Sequence, residues 1–205
     1  MFPPKGITGF VVRVLLYYGL LAWVPWPGVR GAYSASYREG ANLLFGQSDE
    51  ELMISFRSLS DEKEPAKDIE LVMRRRGTDV ERTTPIDSRL SGYLPTAVVV
   101  ALTLATPIPW SRRWTALLWG LVWVNVFIAA REVPTLLYTL THPPPFHAGL
   151  NPMWGKIAYR VYEIVGRVPT TSFIVPILIW ILVTFRRTDW AKFLVSPSSS
   201  RAGSS

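Results

Sequence analysis

Two long apolar runs separated by a short basic turn constrain this chain more than any other feature. The first run begins at Gly92 and the second ends at Ala130, with only Ser111, Arg112 and Arg113 between them. Each run is close to the ~20 residues that an α-helix needs to cross a bilayer. So short a connection makes the two helices antiparallel neighbours, and its arginines indicate the side on which the turn lies. The sequence therefore predicts an integral membrane protein.

The composition fits a few membrane spans joined to a modest polar segment. Of the 205 residues, 49% are hydrophobic, and the mean hydropathy is +0.20. Cysteine is absent, which excludes disulfides, thiolate metal sites and cysteine nucleophiles. The net charge is +7, yet twelve of the fifteen acidic residues lie between Arg30 and Arg89, together with ten basic ones. The surplus positive charge therefore lies beside the apolar runs, which argues against a nucleic-acid partner.

The expected fold class is a mainly α membrane protein with four transmembrane helices. A first apolar run extends from Ile7 to Trp26, and the alternative that it is a signal peptide meets only a poor cleavage site at residues 32–34. The predicted segments are a first transmembrane helix (1–26), an extracytoplasmic α+β segment (27–91), a transmembrane helical hairpin (92–141), an extracytoplasmic loop and interfacial amphipathic helix (142–168), a fourth transmembrane helix (169–187) and a cytoplasmic tail (188–205) that is disordered from about residue 196.

Within residues 27–91, a helix is predicted over 32–45, followed by a small antiparallel β-unit. Residues 51–59 alternate apolar and polar side chains, and residues 67–76 repeat this alternation. A period of two is typical of half-buried strands. Residues 79–84 form a possible third strand. So small a unit needs support from the helices or from a partner.

Lysine and arginine in the short flanks predict the orientation. Lys5, the Arg112–Arg113 turn and the Arg186–Arg187 pair fall on one side in the four-span arrangement. Because short cytoplasmic segments are enriched in positive charge, both termini are expected in the cytoplasm of a bacterial cell, with the protein in the inner (plasma) membrane.

Several polar residues are candidates for contacts with a partner or with lipid, and no residue is assigned a catalytic role. Arg131 and Glu132 end the third apolar run, either as a polar site at the membrane face or as an ion pair where the helix leaves the lipid. Asn125 lies deep in the same run, where its amide could hydrogen bond to a neighbouring helix. Arg74, Arg75 and Arg76 form either a phosphate-binding triplet or a solvated strand edge.

Cofactor and metal candidates are weaker. Trp119 and Trp123 lie one helical turn apart, where a pigment or a quinone could stack, although packing against lipid or a partner is the commoner use. His142 and His147 are the only histidines, and two ligands fall short of the three or four that zinc normally needs. Gly120 with Ala116 forms a small-residue patch that predicts close helix packing.

Residues 87–140 resemble bacterial membrane proteins that accompany exosortases, which process proteins bearing a C-terminal sorting tail. The resemblance lies in the GYLPTAVVVALTLATP run, the basic SRRW turn and the Trp- and Leu-rich run that follows. It implies an accessory role beside such an enzyme. Exosortases themselves use a cysteine nucleophile, which this chain lacks.

The sequence thus favours a non-catalytic accessory protein or subunit of a larger membrane complex, with membrane lipids and other proteins as partners. Two alternatives stay open. One is a membrane enzyme or processing factor that uses Arg131, Glu132 and the histidine loop. The other is a subunit of an energy-converting complex that contacts a pigment or a quinone through its tryptophans.

Overall fold

A computed structural model of the chain describes residues 4–48, 52–59, 67–75, 81–141, 152–161, 163 and 171–185. Within this part, the protein is mainly helical and carries a small antiparallel sheet, as predicted. The helices are α1 (Pro4–Trp23), α2 (Trp26–Phe45), α3 (Leu94–Ala105), α4 (Trp110–Thr141), α5 (Pro152–Val161) and α6 (Thr171–Thr184), and a five-residue π-helix (Arg89–Tyr93) leads into α3. The strands are β1 (Gln47–Ser48), β2 (Leu52–Ser58), β3 (Ile69–Arg75) and β4 (Glu81–Ile86).

The four strands form a meander in which each pairs with the next along the chain. Ile54 faces Met73 and Phe56 faces Leu71 across the β2–β3 pair. These side chains are buried together with Ala41 of α2 and Leu136 of α4. The alternation in the sequence is thus confirmed, because its apolar face is the face that packs against two helices.

Helix α2 also completes the hydrogen bonding of β2. β1 pairs only with Met53 and Ile54, so Phe56 lies beyond its reach. The Asn42 side chain replaces the missing strand: its Nδ2 donates to the Phe56 carbonyl at 3.0 Å, and its Oδ1 accepts from the Phe56 amide at 2.8 Å. A side-chain amide has the same donor and acceptor as a peptide group, so it can cap a strand edge.

Helix α3 lies among α1, α4 and α6 and contacts all three. Its contact with α4 depends on Gly120, where an added Cβ would lie only 2.7 Å from Cγ1 of Val99. Ala116, one turn earlier, is also buried. The predicted small-residue patch therefore lies where α4 packs closely against α3.

Contacts among the helices place three chain segments at one end. The Phe10 ring of α1 stacks on Trp180 of α6, with centroids 5.8 Å apart, and Trp180 donates to the hydroxyl of Thr106 just after α3. Arg112 was predicted to lie in the connecting turn but lies in the first turn of α4, because the connection is formed by residues 106–109. It donates to the Thr184 carbonyl at the end of α6. The beginning of α1, the α3–α4 turn and the end of α6 therefore lie together.

The opposite end carries the sheet and a sharp bend. Helices α1 and α2 meet at 71°. The carbonyls of Leu21 and Ala22 near the end of α1 accept hydrogen bonds from Tyr93 Oη and Arg89 Nη2. The Arg89 guanidinium also lies over the rings of Trp23 and Trp26, at 4.8 and 5.4 Å. The π-helix residues thus cap α1 where the chain turns, a contact that the sequence analysis did not predict.

The four predicted transmembrane helices are matched only in part. In the described part of the chain, α4 is long and apolar enough to span a bilayer over Trp110–Leu137, and the bent α1–α2 pair passes the same test only if it counts as one span. The apolar helices over Arg89–Ala105 and Thr171–Thr184 are shorter. At ~1.5 Å per residue, 17 and 14 residues measure about 25 and 21 Å, less than the ~30 Å hydrocarbon core. By length and composition, the described part of the chain therefore contains one membrane-spanning helix, or two spans if the bent pair is one of them.

Candidate functional site

A groove of about 160 Å³ lies between α2 and α4, beside the sheet. Small and apolar side chains line most of it, and one carboxylate is among its lining groups. We call it the Glu132 groove and define it by Tyr37, Gly40, Leu44, Asn125, Ile128 and Glu132. Gly40 and Ala129 leave it open because neither carries a side chain larger than a methyl group.

Glu132 is the polar centre of this groove. Its side chain is only 6% exposed, and Oε1 accepts a hydrogen bond of 2.7 Å from Tyr37 Oη. Tyr37 itself packs against Gly92, where an added Cβ would lie 3.1 and 3.2 Å from two atoms of the Tyr37 ring. The close approach of the π-helix to α2 thus fixes the tyrosine that holds Glu132. This pairing joins residues 95 positions apart.

Arg131 and Glu132 were predicted together, and the structure directs them to different helices. Arg131 is buried and its Nη1 donates to Ser172 Oγ, near the beginning of α6, at 2.5 Å. Glu132 instead faces α2. Neighbouring residues on a helix point about 100° apart, which explains the separation. The two charges therefore connect α4 to α6 and to α2.

Asn125 lies at the same groove but does not bond as expected. Its Nδ2 donates to the Leu121 carbonyl of its own helix at 2.8 Å, rather than to a neighbouring helix. The side chain is exposed and lines the groove about two helical turns before Glu132. A polar side chain on a helix can satisfy its own hydrogen-bonding groups on the backbone one turn earlier in this way.

The arginines of the predicted turn also serve as caps. Arg113 Nη2 donates to the carbonyls of Thr106 and Ile108, which follow the end of α3, and its guanidinium lies over the Trp110 ring. Together with the bond from Arg112 to α6, this places both cations at carboxyl ends of helices. Positive charge is favourable there because of the helix dipole.

The remaining candidates lie apart from the groove. Trp119 and Trp123 are each 52% exposed on α4, and Arg74 is exposed on β3. Four candidates lie outside the described part of the structure, namely the side chain of Arg75 and the whole residues Arg76, His142 and His147. Within that part, no three histidine, aspartate or glutamate residues come together as a metal site. The two tryptophans and the two histidines therefore stay weak candidates from the sequence.

A buried carboxylate that the sequence analysis missed links the sheet to the helices. Asp68, just before β3, accepts hydrogen bonds from the amide and the hydroxyl of Ser88. Asp87, which directly precedes Ser88, accepts hydrogen bonds from the amides of Arg89 and Leu90, at 2.9 and 3.1 Å, and so caps the π-helix. Burial raises the pKa of Asp87. An aspartate shortly before a helical run is the sequence signal that points to such a cap.

Comparison with known proteins does not name a relative. No family model matches the sequence, and neither the curated proteins nor the solved structures include one that is significantly similar to the chain. The chemistry of the groove and of the helix surfaces is therefore the guide to the function of the chain. A carboxylate within an apolar groove can accept hydrogen bonds or pair with a cation.

Proposed function

We propose that the chain is a non-catalytic accessory protein or subunit of a larger complex in the bacterial inner membrane. In this proposal, four helical segments lie in the bilayer and the sheet lies on the extracytoplasmic side. Partner proteins bind the helices and the sheet. The observation that carries the proposal is the broad apolar surface that α1, α4 and α6 expose.

This surface consists of large side chains at least half exposed on each of the three helices. They include Leu15 and Leu16 on α1, Leu118 and Trp123 on α4, and Leu182 on α6. Soluble monomeric proteins rarely expose contiguous apolar patches larger than a few hundred Å². Lipid chains and the apolar faces of partner helices are the surroundings in which such a surface is stable.

The arrangement of the helix ends supports the proposed orientation. The beginning of α1, the Arg112–Arg113 turn and the end of α6 lie together, as their contacts require. Arg186 and Arg187 follow α6 directly in the sequence. This end is thus the basic end, which by the positive-inside rule is the cytoplasmic one. The short helices α3 and α6 then cross only with local thinning of the bilayer or within a partner complex.

The polar residues of the helices support a structural rather than a catalytic role. Five charged residues each hydrogen bond to a backbone or side-chain group of another helix or of a helix end: Arg89, Arg112, Arg113, Arg131 and Glu132. Buried and half-buried polar groups that connect helices in this way are typical of packing within a membrane protein. A catalytic alternative needs the histidine loop, and replacing His142 and His147 by alanine tests it through the cellular phenotype.

The resemblance of residues 87–140 to exosortase-associated proteins supplies a first partner class to test. We propose an exosortase-type processing enzyme as that partner. The support is the sequence of the α3–α4 hairpin, whose Trp- and Leu-rich outer surface is exposed on α4.

Two measurements test the proposed function. After alkaline carbonate washing of native membranes, we expect the chain to remain in the membrane pellet. After mild detergent extraction, we expect it to migrate with other protein chains that mass spectrometry identifies. Release by carbonate contradicts membrane embedding, whereas an embedded chain that runs alone as a monomer contradicts the subunit role.

A further inference from the structure

We propose that the Glu132 groove binds the ammonium head group of a phosphatidylethanolamine-type lipid. This inference rests on the membrane embedding in the proposed function and adds a ligand of defined chemistry to it. The lipid's ammonium pairs with the Glu132 carboxylate, and its apolar part lies along Leu44 and Ile128.

The Glu132 groove is complementary in charge to an ammonium ion. Glu132 is more than nine-tenths buried and lines a groove whose other walls are mostly apolar. Its neighbour Arg131 donates to Ser172 on α6, and the positive charge of Arg131 offsets only part of the cost of burying Glu132. Burying a carboxylate in apolar surroundings is costly unless hydrogen bonds or a cation compensate for the lost hydration. Tyr37 supplies one hydrogen bond. A ligand that carries a cation on an apolar body suits the rest of the groove.

The size of the Glu132 groove suits a lipid head group. A helix with its side chains is ~10–12 Å across, and it cannot enter a space this small. A volume of about 160 Å³ accommodates one compact head group or a short length of chain. The exposed side chains of Leu43 and Leu44 on α2 and Val126 on α4 lie on residues next to or within the groove lining. They provide an apolar surface for the chains of a bound lipid.

The position of Glu132 along α4 suits the depth of a lipid head group in a bilayer. The apolar part of α4, Trp110–Leu137, contains 28 residues. At ~1.5 Å per residue it measures about 42 Å, which matches a bilayer of ~40–45 Å with its head groups. Glu132 lies five residues before Leu137. It is therefore roughly 7–8 Å from the helix end, near the boundary between lipid chains and head groups.

A primary ammonium is favoured over a quaternary one because it has N–H donors. The Glu132 carboxylate offers acceptor sites besides the one that Tyr37 uses, and an ammonium provides three donors. The choline head group has the same charge but no N–H group. Comparing the two lipids therefore isolates the hydrogen bonds that we propose.

Native mass spectrometry of the full-length protein tests this proposal. The protein is delipidated in detergent and titrated separately with phosphatidylethanolamine and phosphatidylcholine. We expect wild-type protein to bind the ethanolamine lipid about tenfold or more tightly, the factor of one charge-assisted hydrogen bond. Glu132→Gln should bring the two affinities close to each other, since it keeps the shape of the side chain and removes its charge.

A second variant blocks the groove without altering the carboxylate. An added Cβ at Gly40 meets nothing within 4 Å, so Gly40→Leu places an apolar side chain in the groove without a backbone clash. Gly31→Leu is the matched control, because it makes the same substitution in the same helix where the space is also open. Glu81→Gln, at an exposed position of β4, is the matched control for the charge change.

We expect Gly40→Leu to lose the preference for ethanolamine lipid and both control variants to keep it. Equal binding of the two lipids by wild-type protein overturns the proposal, as does a preference that survives both groove variants. A chain that resists carbonate extraction yet shows no preference leaves the membrane embedding in place and removes only the lipid site. A chain released by carbonate removes the proposed function itself.

Discussion

At the scale of single residues, glycine and aspartate decide how closely the elements approach and where they begin. Gly120 lets α4 lie against Val99 of α3. Asp87 caps the π-helix that carries Arg89 and Tyr93 to the end of α1. Each of these residues serves a contact between elements distant in sequence.

We expect Gly120→Ala to destabilise the folded protein by about 1–3 kcal/mol, the usual cost of overpacking. The added methyl group would lie 2.7 Å from Val99 Cγ1, and the buried helix contact leaves little room to adjust. Gly19→Ala is the control, because an added Cβ at Gly19 meets nothing within 4 Å. Unfolding in mixed detergent micelles measures both. An equal effect of the two variants contradicts the close packing of α3 and α4.

Asp87 gives a prediction that depends on pH. Because burial raises its pKa in the folded protein, the protonated form is favoured there. The stability from this shift is present below the unfolded pKa and is lost as the pH rises through the folded pKa. Asp87→Asn removes this titration and retains an oxygen for the amides of Arg89 and Leu90. We therefore expect the stability of Asp87→Asn relative to wild type to increase with pH across the carboxyl range.

Asp87→Ala provides the contrast, since it removes the cap as well as the charge. Loss of such a cap costs roughly 1 kcal/mol, and this part of the loss is independent of pH. Thermal melts of the three proteins between acidic and neutral pH separate the two effects. If Asp87→Asn and wild type show the same pH dependence, Asp87 does not titrate with a raised pKa.

At the scale of elements, the strands and the helices differed in how well the sequence predicted them. Period-two alternation predicted strands over 51–59 and 67–76, and the structure has β2 at Leu52–Ser58 and β3 at Ile69–Arg75. The possible strand over 79–84 is β4, at Glu81–Ile86. β1 has two residues, which is too short for any period to be visible.

The bend between α1 and α2 was harder to predict. The first apolar run was expected to continue to Trp26, whereas α1 ends at Trp23 and α2 begins at Trp26. Its cap comes from Arg89 and Tyr93, which are 67 and 72 residues away from their acceptors. No local pattern signals such a contact. The same reason applies to the Tyr37–Glu132 pair in the groove, although Glu132 itself was a candidate from the sequence.

The contact between α2 and β2 can be tested through Asn42. Asn42→Ala leaves the amide and the carbonyl of Phe56 without their partner. Each partly buried group left unsatisfied costs about 1–3 kcal/mol, so we expect a loss of at least roughly 2 kcal/mol. Ser34→Ala, on the same helix, is the control, because its hydroxyl is exposed and bonds within its own turn. Denaturant unfolding that finds equal stability for both variants contradicts the role of Asn42.

At the scale of the whole molecule, the contacts divide the chain into two ends. One end joins the beginning of α1, the α3–α4 turn and the end of α6. The other carries the sheet, the bend and the Glu132 groove. The apolar helix surfaces lie between them. We propose that a bilayer separates these two ends.

Site-directed labelling measures this separation most directly, because the chain contains no cysteine that would interfere. Ser111 at the beginning of α4 and Glu81 on β4 are both exposed and lie at opposite ends. In intact cells, a membrane-impermeant maleimide should label Glu81→Cys. It should label Ser111→Cys only after the membrane is permeabilised. Labelling of both variants in intact cells, of neither before permeabilisation, or of Ser111→Cys alone contradicts the proposed arrangement.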